Sequence, residues 1–130
     1  MSTAASNAST TAIEPWLSVP DAGEALEFYR NAFGAVEAYR LDDDDRRPVV
    51  AQLSIDRAAF WIQGDADASP VAPGVGSVRM ILSVEDPDAV YERAVGAGAA
   101  VVARVHDEHG WRTGRLTDPF GHDWEVSRRR

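Results

Sequence analysis

A strand-then-helix pattern occurs twice in this chain, and this repeat limits the fold more than any other feature. Leu17–Val19 and Leu82–Val84 are short apolar stretches, and 82 minus 17 gives a spacing of 65 residues. Each stretch is followed by an aspartate, Asp21 or Asp86, that suits the N-cap of a helix. The chain therefore contains two copies of one supersecondary unit.

Both copies continue with a helix and then three strands. Apolar residues recur at helical spacing from Ala22 to Phe33 and from Val90 to Val95, and glycines end both stretches. Strand-like runs follow at 35–41, 49–55 and 58–62 in the first copy, and at 99–105, 114–117 and 123–127 in the second. The sequence predicts an α+β fold of two tandem βαβββ modules, about 13–64 and 77–128, with a linker at 65–76.

Neither module has enough apolar surface to cover both sides of a sheet by itself. We therefore expect a single domain from 13 to 130, in which the modules lie side by side and form a curved mixed sheet with the helices on the outside. The concave wall of such a sheet is a natural site for a small molecule. The first dozen residues are small and polar, so we expect a disordered tail at 1–12.

The charge balance and the lack of cysteine exclude several functions. Lys and Arg number 13 and Asp and Glu number 21, so 13 − 21 gives a net charge of −8. A surface of this sign repels nucleic acid and anionic membranes. It would also attract a cationic small molecule, but we favour solubility alone as the reason for the charge. Disulfides and thiolate zinc sites are excluded. No apolar stretch could span a bilayer and the N-terminus does not resemble a secretory signal, so we expect a cytoplasmic protein.

Three stretches form a recognisable set: 15–19 with 25–29 and 33–35, then 82–86 with 96–99, and finally 110–126. The last contains DPFGHDW at 118–124, which is much rarer than a generic turn. Together they resemble the vicinal oxygen chelate superfamily, which includes glyoxalase I, bleomycin-resistance proteins and extradiol dioxygenases. The resemblance implies the tandem βαβββ fold and a homodimer with ligand pockets at or near its interface.

In metal-dependent members of that superfamily, four inward-facing positions hold one divalent ion. The resemblance places these positions at Glu14, Arg79, Glu125 and Trp61, or at Gln63 in place of Trp61 if the register slips by two. Only the two carboxylates suit such an ion, and an arginine beside them would repel it. We therefore favour no metal and no other cofactor, and we expect Glu125 to point inward and pair with Arg79. A divalent metal held by Glu14 and Glu125 is the alternative.

Aromatic side chains supply further candidates for a binding site. Trp16 and Trp61 are on strands expected to line the concave wall, where they would either pack in the core or dimer interface or hold a planar or cationic ligand. Trp124 should face the core. The complete predicted ligand-binding set is Glu14, Trp16, Trp61, Gln63, Arg79, Trp111, Arg112 and Glu125.

Three functions are consistent with these residues. We favour a metal-free binding protein for a small cationic or aromatic molecule, as in the bleomycin-resistance branch. The alternatives are a metal-dependent lyase, isomerase or dioxygenase, and a metal-free enzyme. In the metal-free enzyme, Glu125 or His122 would be the acid or base and Arg79 would hold an anionic substrate. For His122 we favour a structural hydrogen bond. The fold alone does not decide among these functions.

Overall fold

The computed structural model describes residues 11–70 and 76–130. Residues 1–10 of the predicted tail and 71–75 of the predicted linker lie outside the described residues. Within the described part of the chain, neither helix has the length and apolarity needed to cross a bilayer.

Each module contains a strand, a helix and three strands, as predicted. The first consists of β1 (Trp16–Val19), α1 (Ala22–Phe33), β2 (Val36–Asp42), β3 (Pro48–Ile55) and β4 (Ala58–Gly64). The second consists of β5 (Arg79–Ser83), α2 (Pro87–Gly96), β6 (Ala100–Glu108), β7 (Trp111–Thr117) and β8 (Asp123–Arg129). The sequence prediction ended β6 too early. Only His109 and Gly110 make the turn, because both have positive φ and a two-residue hairpin of that kind matches the twist of its strands.

Both helices begin at the predicted N-caps. Asp21 Oδ1 accepts a hydrogen bond from the N–H of Glu24 at 3.0 Å, and Asp86 Oδ1 accepts one from the N–H of Ala89 at 3.1 Å. Helix α1 ends at Gly34, whose φ of 70° is a left-handed conformation that glycine adopts without a Cβ clash. Short-range signals therefore set the limits of the helices.

The strands form two four-stranded mixed sheets, in the orders β1-β4-β3-β2 and β5-β8-β7-β6. The pairs β1–β4 and β5–β8 are parallel, and the other pairs are antiparallel. Each sheet therefore ends at the first strand of its module. Among the described residues, β1 and β5 each have one edge without a hydrogen-bonded neighbouring strand.

An aromatic core joins the two modules beside α1. The ring of Tyr29 lies 5.1 Å from that of Phe60 in β4 and 5.7 Å from that of Trp124 in β8, measured between centroids. Trp124 is buried, which confirms that it faces the core. Asp118, in the turn before β8, accepts hydrogen bonds from Trp124 Nε1, from the hydroxyl of Tyr29 and from two backbone N–H groups of its own turn. One buried carboxylate thus connects both modules.

Candidate ligand-binding site

A cavity of about 770 Å³ is bounded by the two edge strands β1 and β5. Four of the predicted site residues line it: Glu14, Trp16, Arg79 and His122. Most of the other lining side chains are apolar. An apolar cavity with a few charged groups is typical of small-molecule sites.

Donors from the first sheet hold Glu14. Its Oε1 accepts hydrogen bonds from Trp61 Nε1 and from Gln52 Nε2, each at 2.8 Å. Gln52 and Trp61 are directly opposite each other on β3 and β4. Because side chains alternate along a strand, both lie on the face turned away from the buried core, called here the inner face of the sheet. Two neutral donors therefore orient this carboxylate without neutralising it.

Trp16 and Trp61 are neighbours in the register of β1 and β4, and their rings stack with centroids 6.0 Å apart and planes at 24°. Trp16 Nε1 also donates a hydrogen bond to Gln63 Oε1 at 3.1 Å. Tyr39 packs edge-on against Trp61 at 5.9 Å. Trp16 is 52% exposed, so its indole is accessible from the cavity. The structure thus brings together three predicted side chains, and it adds Tyr39.

The expected ion pair between Arg79 and Glu125 is present. Arg79 Nε lies 3.0 Å from Glu125 Oε1, and the hydroxyl of Thr113 donates a hydrogen bond of 2.7 Å to Glu125 Oε2. The Arg79 side chain is 40% exposed and that of Glu125 only 17%. Arg79 also lines the cavity, so its guanidinium has further donors that can bind an acceptor there.

Arg115 is a charged residue beside this ion pair that the sequence analysis did not single out. It is directly opposite Glu125 in the register of β7 and β8, and it lies on the inner face together with Thr113 and Thr117. Its Nε is buried and has no hydrogen-bond partner in the described part of the chain. Leaving a buried donor unsatisfied costs about 1–3 kcal/mol. The alternation of β7 around Thr113 was the signal that could have identified it.

The structure does not bring Trp111 and Arg112 to the cavity. Arg112 donates hydrogen bonds to Asp88 at 2.8 and 2.7 Å and to Asp107 at 3.1 Å, and these bonds raise its pKa further above its usual value. Trp111 stacks loosely with Arg129, whose guanidinium carbon lies 6.0 Å from the ring centroid. Arg112 precedes Thr113 by one residue, so alternation turns it to the other face of the sheet.

His122 lines the cavity, and its Nε2 lies 2.8 Å from the backbone carbonyl oxygen of Ser18 in β1. Because a carbonyl only accepts, Nε2 is the protonated nitrogen in this contact. The bond connects the turn before β8 to the first strand of the other module. It is the structural hydrogen bond that was expected of His122.

The positions that the resemblance assigns to a metal do not fit a divalent cation. Glu14 already accepts two hydrogen bonds, Trp61 presents an N–H group, and Glu125 is paired with the cationic Arg79. In the described ranges, no three His, Cys, Asp or Glu side chains are grouped so that they could hold an ion. The donor set of one chain therefore disagrees with the four-ligand metal centre of the superfamily.

Two proteins of other organisms have sequences similar to that of this chain. The uncharacterized protein Mb0911c of Mycobacterium bovis is 37% identical over 123 residues, which cover 88% of this chain and 81% of that protein. The uncharacterized protein At5g48480 of Arabidopsis thaliana is 32% identical over 115 residues, which cover 78% and 68%.

Solved structures share the fold at lower identity. TioX from Micromonospora sp. ML1 has a TM-score of 0.71 at 23% identity and covers 91% of this chain and 95% of its own. The fosfomycin resistance protein FosX from Listeria monocytogenes has a TM-score of 0.68 at 18% identity and covers 93% and 94%. A mutant of that FosX was crystallised with Mn(II) and 1S,2S-dihydroxypropylphosphonic acid. At these identities the likeness shows the fold alone.

The family assignment rests on a match along most of the chain. A family model described as a glyoxalase-like domain matches residues 15–127, which include both modules and the linker between them. The structural neighbours also include a glyoxalase/bleomycin resistance protein/dioxygenase family enzyme from Burkholderia phytofirmans, with a TM-score of 0.69 at 17% identity, covering 88% of this chain and 95% of that one. The chain belongs to the glyoxalase-like domain family, within the glyoxalase, bleomycin-resistance and dioxygenase superfamily.

Proposed function

We propose that this protein binds a small organic molecule with a planar, cationic part in the cavity between β1 and β5, and that it does so without a metal. The observation that carries the proposal is the exposed indole of Trp16, stacked on Trp61 beside the carboxylate of Glu14. An aromatic face and a carboxylate together attract a planar cation. The net charge of −8 also favours the approach of such a ligand.

Arg79 supports a ligand that also carries an acceptor. It lines the same cavity as Glu14 with the opposite charge, and its side chain is 40% exposed although it is paired with Glu125. A guanidinium suits a carbonyl or carboxylate oxygen. The expected ligand is therefore a cationic aromatic molecule that carries a carbonyl or carboxylate oxygen in a part separate from its positive charge.

We also propose a homodimer in which a second copy covers the open edges of β1 and β5. Large apolar side chains are exposed on or beside these strands, including Ile13 at 97%, Val78 at 71% and Ile81 at 60%. Unpaired edges and exposed apolar groups favour association. Light scattering after size exclusion should give twice the 14.1 kDa chain mass, and Ile81→Lys should shift the protein toward monomer. A monomeric wild-type protein would contradict the dimer.

We place the protein in the cytoplasm, where a chain without cysteine needs no oxidative folding. Cell fractionation tests this location, and recovery from an extracytoplasmic fraction would contradict it.

The competing functions are enzymatic. A metal-dependent lyase, isomerase or dioxygenase would use Glu14 and Glu125 as ligands, and a metal-free enzyme would use Glu125 or His122 as acid or base. Both carboxylates already accept hydrogen bonds from protein donors, and His122 Nε2 is bonded to the carbonyl of Ser18. Because these hydrogen bonds occupy the groups that either enzyme would use, they support the binding proposal.

Titration of tryptophan fluorescence tests the proposed function. A panel of cationic aromatics, starting with N-methylquinolinium, is added to protein purified without an affinity tag or chelator. We expect saturable quenching in the wild type and its loss in Trp16→Leu. Trp111→Leu is the matched control, because Trp111 is also exposed but lies outside the cavity. No saturable quenching by any probe, or equal responses from the two variants, would overturn the proposal.

A further inference from the structure

We propose a second binding site on this protein, an anion site on the helix side of the second sheet, which takes the phosphate group of a small molecule. A cavity of about 610 Å³ opens there, and it is lined by Arg112, Arg128, Arg129, Arg130 and residues 85–88 at the start of α2. It shares no lining residue with the cavity between β1 and β5. This site is therefore independent of the function proposed above.

The register of the second sheet makes neighbours of two of these arginines. Arg112 and Arg128 are directly opposite each other on β7 and β8, so their side chains lie on the same face. Like charges in directly opposite positions of a sheet are destabilising. Folding by itself therefore disfavours this pair, and a nearby negative charge is needed to offset it.

Carboxylates of the protein offset only one member of the pair. Arg112 donates hydrogen bonds to Asp88 at 2.8 and 2.7 Å and to Asp107 at 3.1 Å. Arg128 Nη1 instead donates to the backbone carbonyl of Glu85 at 3.2 Å, which is a neutral acceptor. Among residues 11–70 and 76–130, Arg128 has no ion pair. Its side chain is exposed, so a ligand in the cavity can reach it.

The two remaining arginines add positive charge beside Arg128. Arg130 Nη1 lies 3.1 Å from Asp107 Oδ2, so this arginine shares its carboxylate with Arg112. Arg129 has no carboxylate partner in the described part of the chain, and its guanidinium carbon lies 6.0 Å from the ring centroid of Trp111. Four arginines thus have only two paired carboxylates, Asp88 and Asp107, among the described residues.

Two further carboxylates line the cavity, and they act differently. Asp86 is turned to the helix, where its Oδ1 accepts the N–H of Ala89 at 3.1 Å. Glu85 is exposed, so its charge would oppose a bound anion. The affinity of the site therefore depends on the balance between Arg128 and Glu85, and each of the two can be changed separately.

The charges and the size of the cavity indicate the kind of ligand. The guanidinium fork matches the oxygens of a phosphate. A phosphate monoester carries close to two negative charges at neutral pH, so it offsets two unpaired arginines better than a carboxylate does. A volume of about 610 Å³ suits a small molecule. The net charge of −8 opposes a long polyanion such as nucleic acid.

Calorimetric titration with pyrophosphate at constant ionic strength is the direct test. We expect saturable binding of pyrophosphate by the wild-type chain and weaker binding of acetate, because acetate carries a single charge. No saturable binding of pyrophosphate would overturn the site. Equal affinity for acetate, or tighter binding of a short DNA strand, would contradict a small phosphate-bearing ligand.

Variants with matched charge show whether Arg128 is responsible. Arg128→Gln should lose roughly tenfold in affinity for pyrophosphate, since it removes a charge-assisted hydrogen bond. Its melting temperature without pyrophosphate should not fall, because the like-charge pair is also removed. Arg47→Gln is the control, an exposed arginine of the first module, and it should bind as the wild type does.

Glu85→Gln is expected to bind pyrophosphate more tightly than the wild type, because it removes the opposing charge from the cavity. A gain of this kind cannot result from a damaged fold. Equal affinities in Arg128→Gln and Arg47→Gln, or a weaker affinity in Glu85→Gln, would contradict the site.

Discussion

The hydroxyl of Tyr29 in α1 donates a hydrogen bond of 2.5 Å to Asp118 Oδ2 in the turn before β8. Both residues are buried, and the bond connects the helix of the first module to the last turn of the second. Burial raises the pKa of Tyr29 well above its usual value of 10.0, and the charge of Asp118 raises it further. The folded protein therefore holds this phenol in its protonated form.

This pKa shift predicts a loss of stability at alkaline pH. The contribution of Tyr29 is complete below pH 10, where the unfolded phenol is also protonated, and it declines as the pH rises from the unfolded pKa toward the raised folded one. We expect Tyr29→Phe to lower the free energy of unfolding by about 1–3 kcal/mol at pH 7 and to reduce the decline above pH 10. Urea denaturation measures both effects. Tyr39→Phe, at an exposed ring, is the control, and an unchanged alkaline decline in Tyr29→Phe would refute the assignment.

The binding proposal predicts that the charge of Glu14 acts on the cation of the ligand. Glu14→Gln keeps an oxygen that can accept from Trp61 and Gln52 but removes the charge. We expect roughly a tenfold loss of affinity for N-methylquinolinium, which corresponds to about 1.4 kcal/mol. Affinity for neutral quinoline should not change. Calorimetric titration measures both ligands, and an equal loss for the two would show that charge is not the reason.

The pairing of Arg79 with Glu125 predicts that the protein as isolated carries no structural metal. Elemental analysis should find far less than one transition metal per chain, and EDTA should leave the melting temperature unchanged. Arg79→His replaces a repelling cation with an imidazole ligand, so we expect this variant to gain stabilisation by Zn(II) or Mn(II). Glu125→Gln in the Arg79→His background should remove the gain. One metal per wild-type chain would support the metal-dependent alternative.

A close approach of β7 to α2 predicts a glycine requirement. A Cβ on Gly114 would lie 2.8 Å from Val105 Cγ2 and 2.9 Å from Tyr91 Cδ2, both shorter than van der Waals contact. Gly114→Ala should therefore destabilise the protein by about 1–3 kcal/mol, as in other overpacked cores. Gly96→Ala is the control, because its Cβ would meet nothing within 4 Å and alanine favours helix. Chemical denaturation compares the two variants, and equal stabilities would contradict this packing argument.

The fold could be predicted because its signals are local. The aspartates at 21 and 86, the glycine at 34 and the runs of apolar residues act within a few positions, so the sequence by itself determined the order of the elements and the repeat. The DPFGHDW segment is also a local signal, because Asp118 accepts hydrogen bonds from two backbone N–H groups of its own turn. The pairing of Arg79 with Glu125 was also predicted, from the metal positions that the resemblance assigns to these two residues.

The composition of the site depended on the tertiary structure. Gln52 meets Glu14 across 38 residues, and Arg115 lies opposite Glu125 only in the register of β7 and β8. A shift of one residue turns a side chain to the other face, and Arg112 lies on the face opposite to that of Arg115. The sequence by itself determined which residues carry charge. Only the tertiary structure decided which of them face one another, because the register of a sheet is set by pairing between strands that are far apart in the chain.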